Sequence, residues 1–146
     1  MRTRVSISLV VAMLALGLVA GAVGADDGGR PFSTTLTGAA EVPGPGDPDG
    51  SGTATLTINP GQGEICYTLT VEGIAPARAA HIHVGTATQA GPVVVGLMPP
   101  TSGESSACAT VDRGLAKAIL KHPENYYVNV HTADFPAGAL RGQLGK

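Results

Sequence analysis

From residue 32 onward the chain is written in short alternating segments cut by Gly and Pro. "GTATLTI" (52–58) places Ala54, Leu56 and Ile58 on one face and Thr53, Thr55 and Thr57 on the other. "EICYTLTV" (64–71) does the same with Ile65, Tyr67, Leu69 and Val71. A period of two built from β-branched residues predicts half-buried strands, and "NPGQGE" between them predicts a hairpin connection. "FSTTLTG" (32–38), "AAHIHVG" (79–85), "PVVVGLM" (92–98), "SACATV" (106–111), "YYVNVHT" (126–132) and "ALRGQL" (139–144) read as further strands. The period changes once. "DRGLAKAILKHP" offers Asp112 as an N-cap, Leu115, Ala118 and Ile119 at helical spacing, and Pro123 as a stop. Gly114 weakens this short helix. About eight short strands with one short helix predict an all-β fold, an antiparallel Greek-key or immunoglobulin-like β-sandwich or barrel. The Gly/Pro-rich stretch 43–52, "PGPGDPDGSG", predicts a mobile surface loop.

The first 25 residues follow another pattern. "MRTR" is followed by the apolar run "VSISLVVAMLALGLV", then by "AGAVGA" and "DDGG". A basic start, an apolar stretch and small residues before a polar junction predict a secretory signal spanning 1–25, cleaved between Ala25 and Asp26. The apolar run is shorter than the usual span of about 20 residues, so no retained membrane segment is expected. A linker at 26–31 and one domain at 32–144 remain, a length that suits a single core. Export implies the periplasm or the extracellular space.

Charge and composition then narrow the partners. Removing Arg2 and Arg4 lowers Lys+Arg from 9 to 7 against 11 Asp+Glu, for a formal charge of −4. A mildly acidic domain lacks the basic footprint of a nucleic-acid binder. Tryptophan is absent, and the aromatics beyond residue 25 are Phe32, Tyr67, Tyr126, Tyr127 and Phe135. That is too few for a base-stacking groove, and it disfavours a sugar-binding face. Cys66 and Cys108 are the only cysteines. In an exported chain a lone pair is expected to form one disulfide.

Several stretches taken together carry a family resemblance. In order and spacing, "TLTGAAEVP", "GTATLTI", "YTLTVEGI", "AAHIHVG", "GPVVVGL" and "YYVNVHTADFPAGALRGQL" resemble the CHRD (chordin-like) domain of exported bacterial proteins, over residues 32–144. The resemblance implies an immunoglobulin-like β-barrel distantly similar to copper/zinc superoxide dismutase. It implies no defined activity.

Alternation also arranges the candidate chemistry. Residues i and i+2 of a strand share a face, so His81 and His83 point one way, and Tyr127, Asn129 and His131 share a face of their strand. Were the two strands neighbours, His81, His83 and His131 would converge as imidazole ligands suited to copper or zinc. The alternative, and the first expectation, is a hydrogen-bond network in which His131 and Asn129 bond loop carbonyls. His81-x-His83 looks like the dismutase copper pair, and His131 like its late copper ligand. No histidine lies between His83 and His122, however, so the bridging ligand and zinc loop of that enzyme have no counterparts. His122, before Pro123, reads as a surface residue at a helix end. "DPDGSG" (47–52) sets Asp47, Asp49 and Ser51 as in the start of a calcium loop, but the twelfth position is Ile58, so a solvated turn is expected. Arg141 shares a face with Gln143 and is expected to pair with Asp134 or Glu41. No nucleophile elbow supports Ser-His-Asp catalysis. The sequence therefore favours a non-enzymatic extracytoplasmic module that binds an unidentified extracellular protein or surface ligand. Its alternative is a copper- or zinc-binding protein using His81, His83 and His131.

Overall fold

The computed structural model describes residues 29–145; the expected signal segment and its Ala25–Asp26 junction lie outside the described residues. The alternating segments form eight strands: β1 Arg30–Thr37, β2 Ser51–Asn59, β3 Glu64–Glu72, β4 Ala79–Val84, β5 Val93–Leu97, β6 Glu104–Thr110, β7 Tyr126–His131 and β8 Leu140–Gln143. One helix, α1 Arg113–Lys121, precedes β7. The strands build a single antiparallel sheet in the order β5-β4-β7-β8-β1-β2-β3-β6, which curls into a nearly closed barrel. This is the all-β, eight-stranded, one-helix architecture that the alternation predicts.

The inward set of each strand makes the core. Ala54, Leu56 and Ile58 of β2 pack with Ile65, Tyr67 and Leu69 of β3 and with Val128 and Val130 of β7, all buried. Burying a side chain of this size stabilises by roughly 1.5–3 kcal/mol. The seam between β5 and β6 is bridged by side chains: the Tyr67 hydroxyl accepts from Met98 N at 2.6 Å, and the Ser105 hydroxyl donates to Met98 O at 2.8 Å. The strand β6 begins at Glu104, two residues before the apolar pattern announces it, because its backbone pairs with β3 from Thr70 onward. Asp112 caps α1 by accepting from Gly114 N (2.8 Å) and Leu115 N (3.1 Å), and Ala116 and Ile119 are the helix's buried residues. Among the described residues no helix is long and apolar enough to cross a membrane.

Two expectations are corrected here. The loop at 43–52 is fastened rather than mobile: Gly46 N donates to Gly38 O (3.0 Å) and Asp47 N to Ala139 O (2.9 Å), and β2 already begins at Ser51. Arg141 does not pair with Asp134 or Glu41. Its guanidinium reaches the 85–91 loop instead, because Glu41 is turned to Asn129.

The strand β7 is unusual in this sheet. Five of its six residues are buried and the sixth, His131, is half-buried, so the strand is covered on both faces. Val128 and Val130 face the core, and the outward row Tyr127, Asn129, His131 lies under loops. That covered outer face is where the chemistry-bearing side chains gather.

Candidate metal centre

Register decides which outward residues meet. β4 and β7 are paired, with Ala79 opposite His131, His81 opposite Asn129 and His83 opposite Tyr127. A bulge between Ile82 and His83 breaks the β4–β5 pairing beside the second histidine. Directly opposed side chains lie about 5 Å apart and diagonal ones about 7–8 Å, within reach of imidazole rings. His81 Nδ1 lies 3.1 Å from His131 Nε2. One ring nitrogen each from His81, His83 and His131 fall within 4.8 Å of one another. The ring centroids are 5.0 Å (81–131), 5.4 Å (81–83) and 6.1 Å (83–131) apart.

The backbone fixes two of the tautomers. His83 Nδ1 lies 2.9 Å from Gly91 O, and His131 Nδ1 lies 3.1 Å from Pro136 O. A carbonyl only accepts, so each Nδ1 carries the proton and each Nε2 keeps its lone pair. The Nε2 of His83 is buried and has no hydrogen-bond partner. Burial lowers the proton affinity of all three rings. Neighbouring histidines lower it further at His81 and His131, and the Arg141 charge does so at His83, while the two carbonyls partly oppose the shift. The three rings are therefore neutral donors at neutral pH.

A polar scaffold holds this trio. The Tyr127 ring stacks on His83 at 4.9 Å with a 9° interplanar angle, and its hydroxyl accepts from Gly91 N at 3.2 Å. Arg141, 1% exposed, lies over the Tyr127 ring at 3.5 Å and donates to Thr86 O (2.5 Å) and Gln89 O (3.1 Å). Asn129 Nδ2 donates to both Glu41 oxygens at 2.8 and 2.9 Å. Thus His131 bonds a loop carbonyl as expected, whereas Asn129 bonds a carboxylate. Gly91 and the Glu41–Asn129 pair were not legible as site components. The signals were "GPVVV", a glycine entering a strand, and an acidic residue within "GAAEVP".

Gly91 illustrates the constraint. A Cβ there would collide with Val84 O, and the same residue supplies the carbonyl that orients His83. We expect Gly91→Ala to cost about 2 kcal/mol in urea unfolding, the range of a local backbone clash. It should also release the His83 ring, visible as a changed imidazole tautomer ratio in nitrogen NMR; an unaltered ratio would show that Gly91 does not set it.

The other candidates lie apart. His122 is exposed and sits 3.3 Å from Glu124 at the end of α1. Asp47 accepts from Asp49 N at 3.1 Å, a turn contact, and neither belongs to a three-ligand group among the described residues. Cys66 and Cys108, directly opposed on β3 and β6, are joined as a disulfide, with Glu64 Oε1 3.3 Å from the Cys66 sulfur.

Compared with known protein families, residues 32–144 match the CHRD domain. The chain belongs to the CHRD domain family. The match covers both halves of the CHRD outer face just described, the His81-x-His83 strand and the strand ending at His131. Searches of the curated proteins and of the solved structures found no match.

The CHRD trio passes a simple test of fit to an ion. Two ligands each about 2.0 Å from a tetrahedral ion are roughly 3.3 Å apart; His81 Nδ1, which donates to His131 Nε2 at 3.1 Å, would exchange that hydrogen bond for the ion. Imidazole suits copper and zinc. A backbone carbonyl on the distal nitrogen of His83 and of His131 is the support that ligating histidines ordinarily have.

Proposed function

We propose that this CHRD protein is an exported, non-catalytic metal-binding module that holds a copper or zinc ion through His81, His83 and His131. The observation carrying the reading is the partnerless Nε2 of buried His83, beside a His81–His131 pair already at ligand spacing. A buried acceptor without a partner costs about 1–3 kcal/mol, and an ion supplies the partner. The alternative is the reading the sequence puts first, a module that binds an extracellular protein or surface ligand. Export is supported by the basic–apolar–small pattern of residues 1–25 and by the disulfide, which belongs to an oxidising compartment.

The test is a metal titration of the purified, chelator-stripped chain. One equivalent of copper or zinc is expected to bind. His81→Ala, His83→Ala and His131→Ala should each weaken binding about a hundredfold, because loss of even a supporting contact costs 10–100-fold. Unchanged affinity in folded variants, checked by circular dichroism, would sink the site.

A further inference from the structure

We infer that the ion this site holds best is cuprous copper. The inference rests on the reading of His81, His83 and His131 as ligands and adds the valence. It follows from charge and donor number.

All three donors are imidazoles, which bring no negative charge, and carbonyls fix the tautomer of two. No carboxylate or thiolate belongs to the group. Both oxygens of Glu41 are engaged by Asn129. The charge nearest His83 is positive: Arg141 lies over the Tyr127 ring that itself stacks on His83. A bound ion brings its whole charge into that setting. Repulsion from Arg141 grows in proportion to ionic charge, and the cost of leaving water grows with its square. A monovalent ion therefore meets half the repulsion and about a quarter of the desolvation that a divalent one meets.

Coordination points the same way. A structural zinc site takes four protein ligands, and cupric copper favours a tetragonal set. Three imidazoles from two adjacent strands leave one position of that tetragonal plane without a protein donor. A filled d shell imposes no such plane, and cuprous ions accept three donors. The distinction is thus one of charge and geometry, with Arg141 as its source within the fold.

The experiment compares three ions on the same chelator-stripped chain. Cu(I) is presented without oxygen in competition with bicinchoninate, Zn(II) in competition with a chromogenic chelator, and Cu(II) followed by electron paramagnetic resonance. Cu(I) is expected to bind one to one and at least a hundredfold tighter than Zn(II). Ascorbate should erase the Cu(II) signal while copper stays bound. Arg141→Gln should narrow the Cu(I)/Zn(II) ratio about tenfold; if that variant does not fold, the wild-type ratio decides alone. Zn(II) bound as tightly as Cu(I), or a Cu(II) signal that survives ascorbate, overturns the valence while the histidine site stands. Failure of all three ions to bind, or Cu(I) affinity unchanged in His83→Ala, overturns both.

Discussion

Reducing the Cys66–Cys108 disulfide is expected to lower the stability of the domain by about 4 kcal/mol. The two cysteines are 42 residues apart, and the loss follows from the entropy that a loop of this length regains in the unfolded chain. The fold makes the cross-link local in space. Cys66 and Cys108 face each other across β3 and β6, and β6 is the last strand of the sheet, paired with β3 alone. The bridge therefore fastens an edge that no backbone ladder closes on its outer side. Urea unfolding of the wild type, with and without reductant, and of the Cys66→Ser/Cys108→Ser double variant measures the effect. A change below about 1 kcal/mol would mean that the unfolded chain is already compact around this loop. The histidines lie on β4 and β7, neither of which pairs with β3 or β6. Metal affinity in the folded double variant should accordingly match the wild type, which separates the staple from the site.

Stability is also expected to fall as pH rises from about 4.5 to about 7. Glu41, 6% exposed, has its carboxyl pushed up from 4.5 to about 7, chiefly by burial, against the opposing effects of Asn129 and Arg141. In the unfolded chain it ionises from 4.5 upward; in the folded domain it resists until about 7. Across that interval the folded state binds more protons, so the stabilisation present at low pH is progressively lost. The full span corresponds to about 3 kcal/mol. The three histidines act in the opposite sense: their lowered proton affinity favours folding above the ordinary histidine range and withdraws that support as pH falls. Glu41→Gln isolates the carboxyl. Its neutral amide can donate to Asn129 Oδ1, which has no partner in the present arrangement, once the Asn129 amide turns over. The variant should match the wild type near pH 4 and exceed it by about 3 kcal/mol at pH 8. A wild-type pH slope retained in the variant would assign the effect elsewhere.

Much of this molecule is legible in its sequence, for identifiable reasons. Period-two alternation is a local property, so the strands, the inward set on β2 and β3, and the shared face of His81 and His83 follow from a few neighbouring residues. Asp112 and Pro123 bracket α1 by equally local chemistry. What alternation leaves open is what lies on top of an outward face. The row Tyr127–Asn129–His131 has the same pattern whether solvent or loops cover it. Three loops decide the matter, through Glu41, Gly91 and Pro136, each far from β7 or beyond its end. The same long-range closure redirects Arg141 from a carboxylate to the carbonyls of Thr86 and Gln89. It also ties down the Gly/Pro-rich stretch whose composition suggests freedom.

The double covering of β7 has a further consequence, for time rather than geometry. A central strand with both faces packed exposes its amides only when the whole domain opens, so hydrogen exchange along Tyr126–His131 should be the slowest in the molecule. A ligand set anchored on that strand and on its neighbour β4 pays little ordering entropy when an ion arrives, because its side chains are held beforehand. Occupancy is then expected to leave backbone exchange elsewhere almost unchanged. The domain would carry an ion as freight, without reporting its presence by a change of shape.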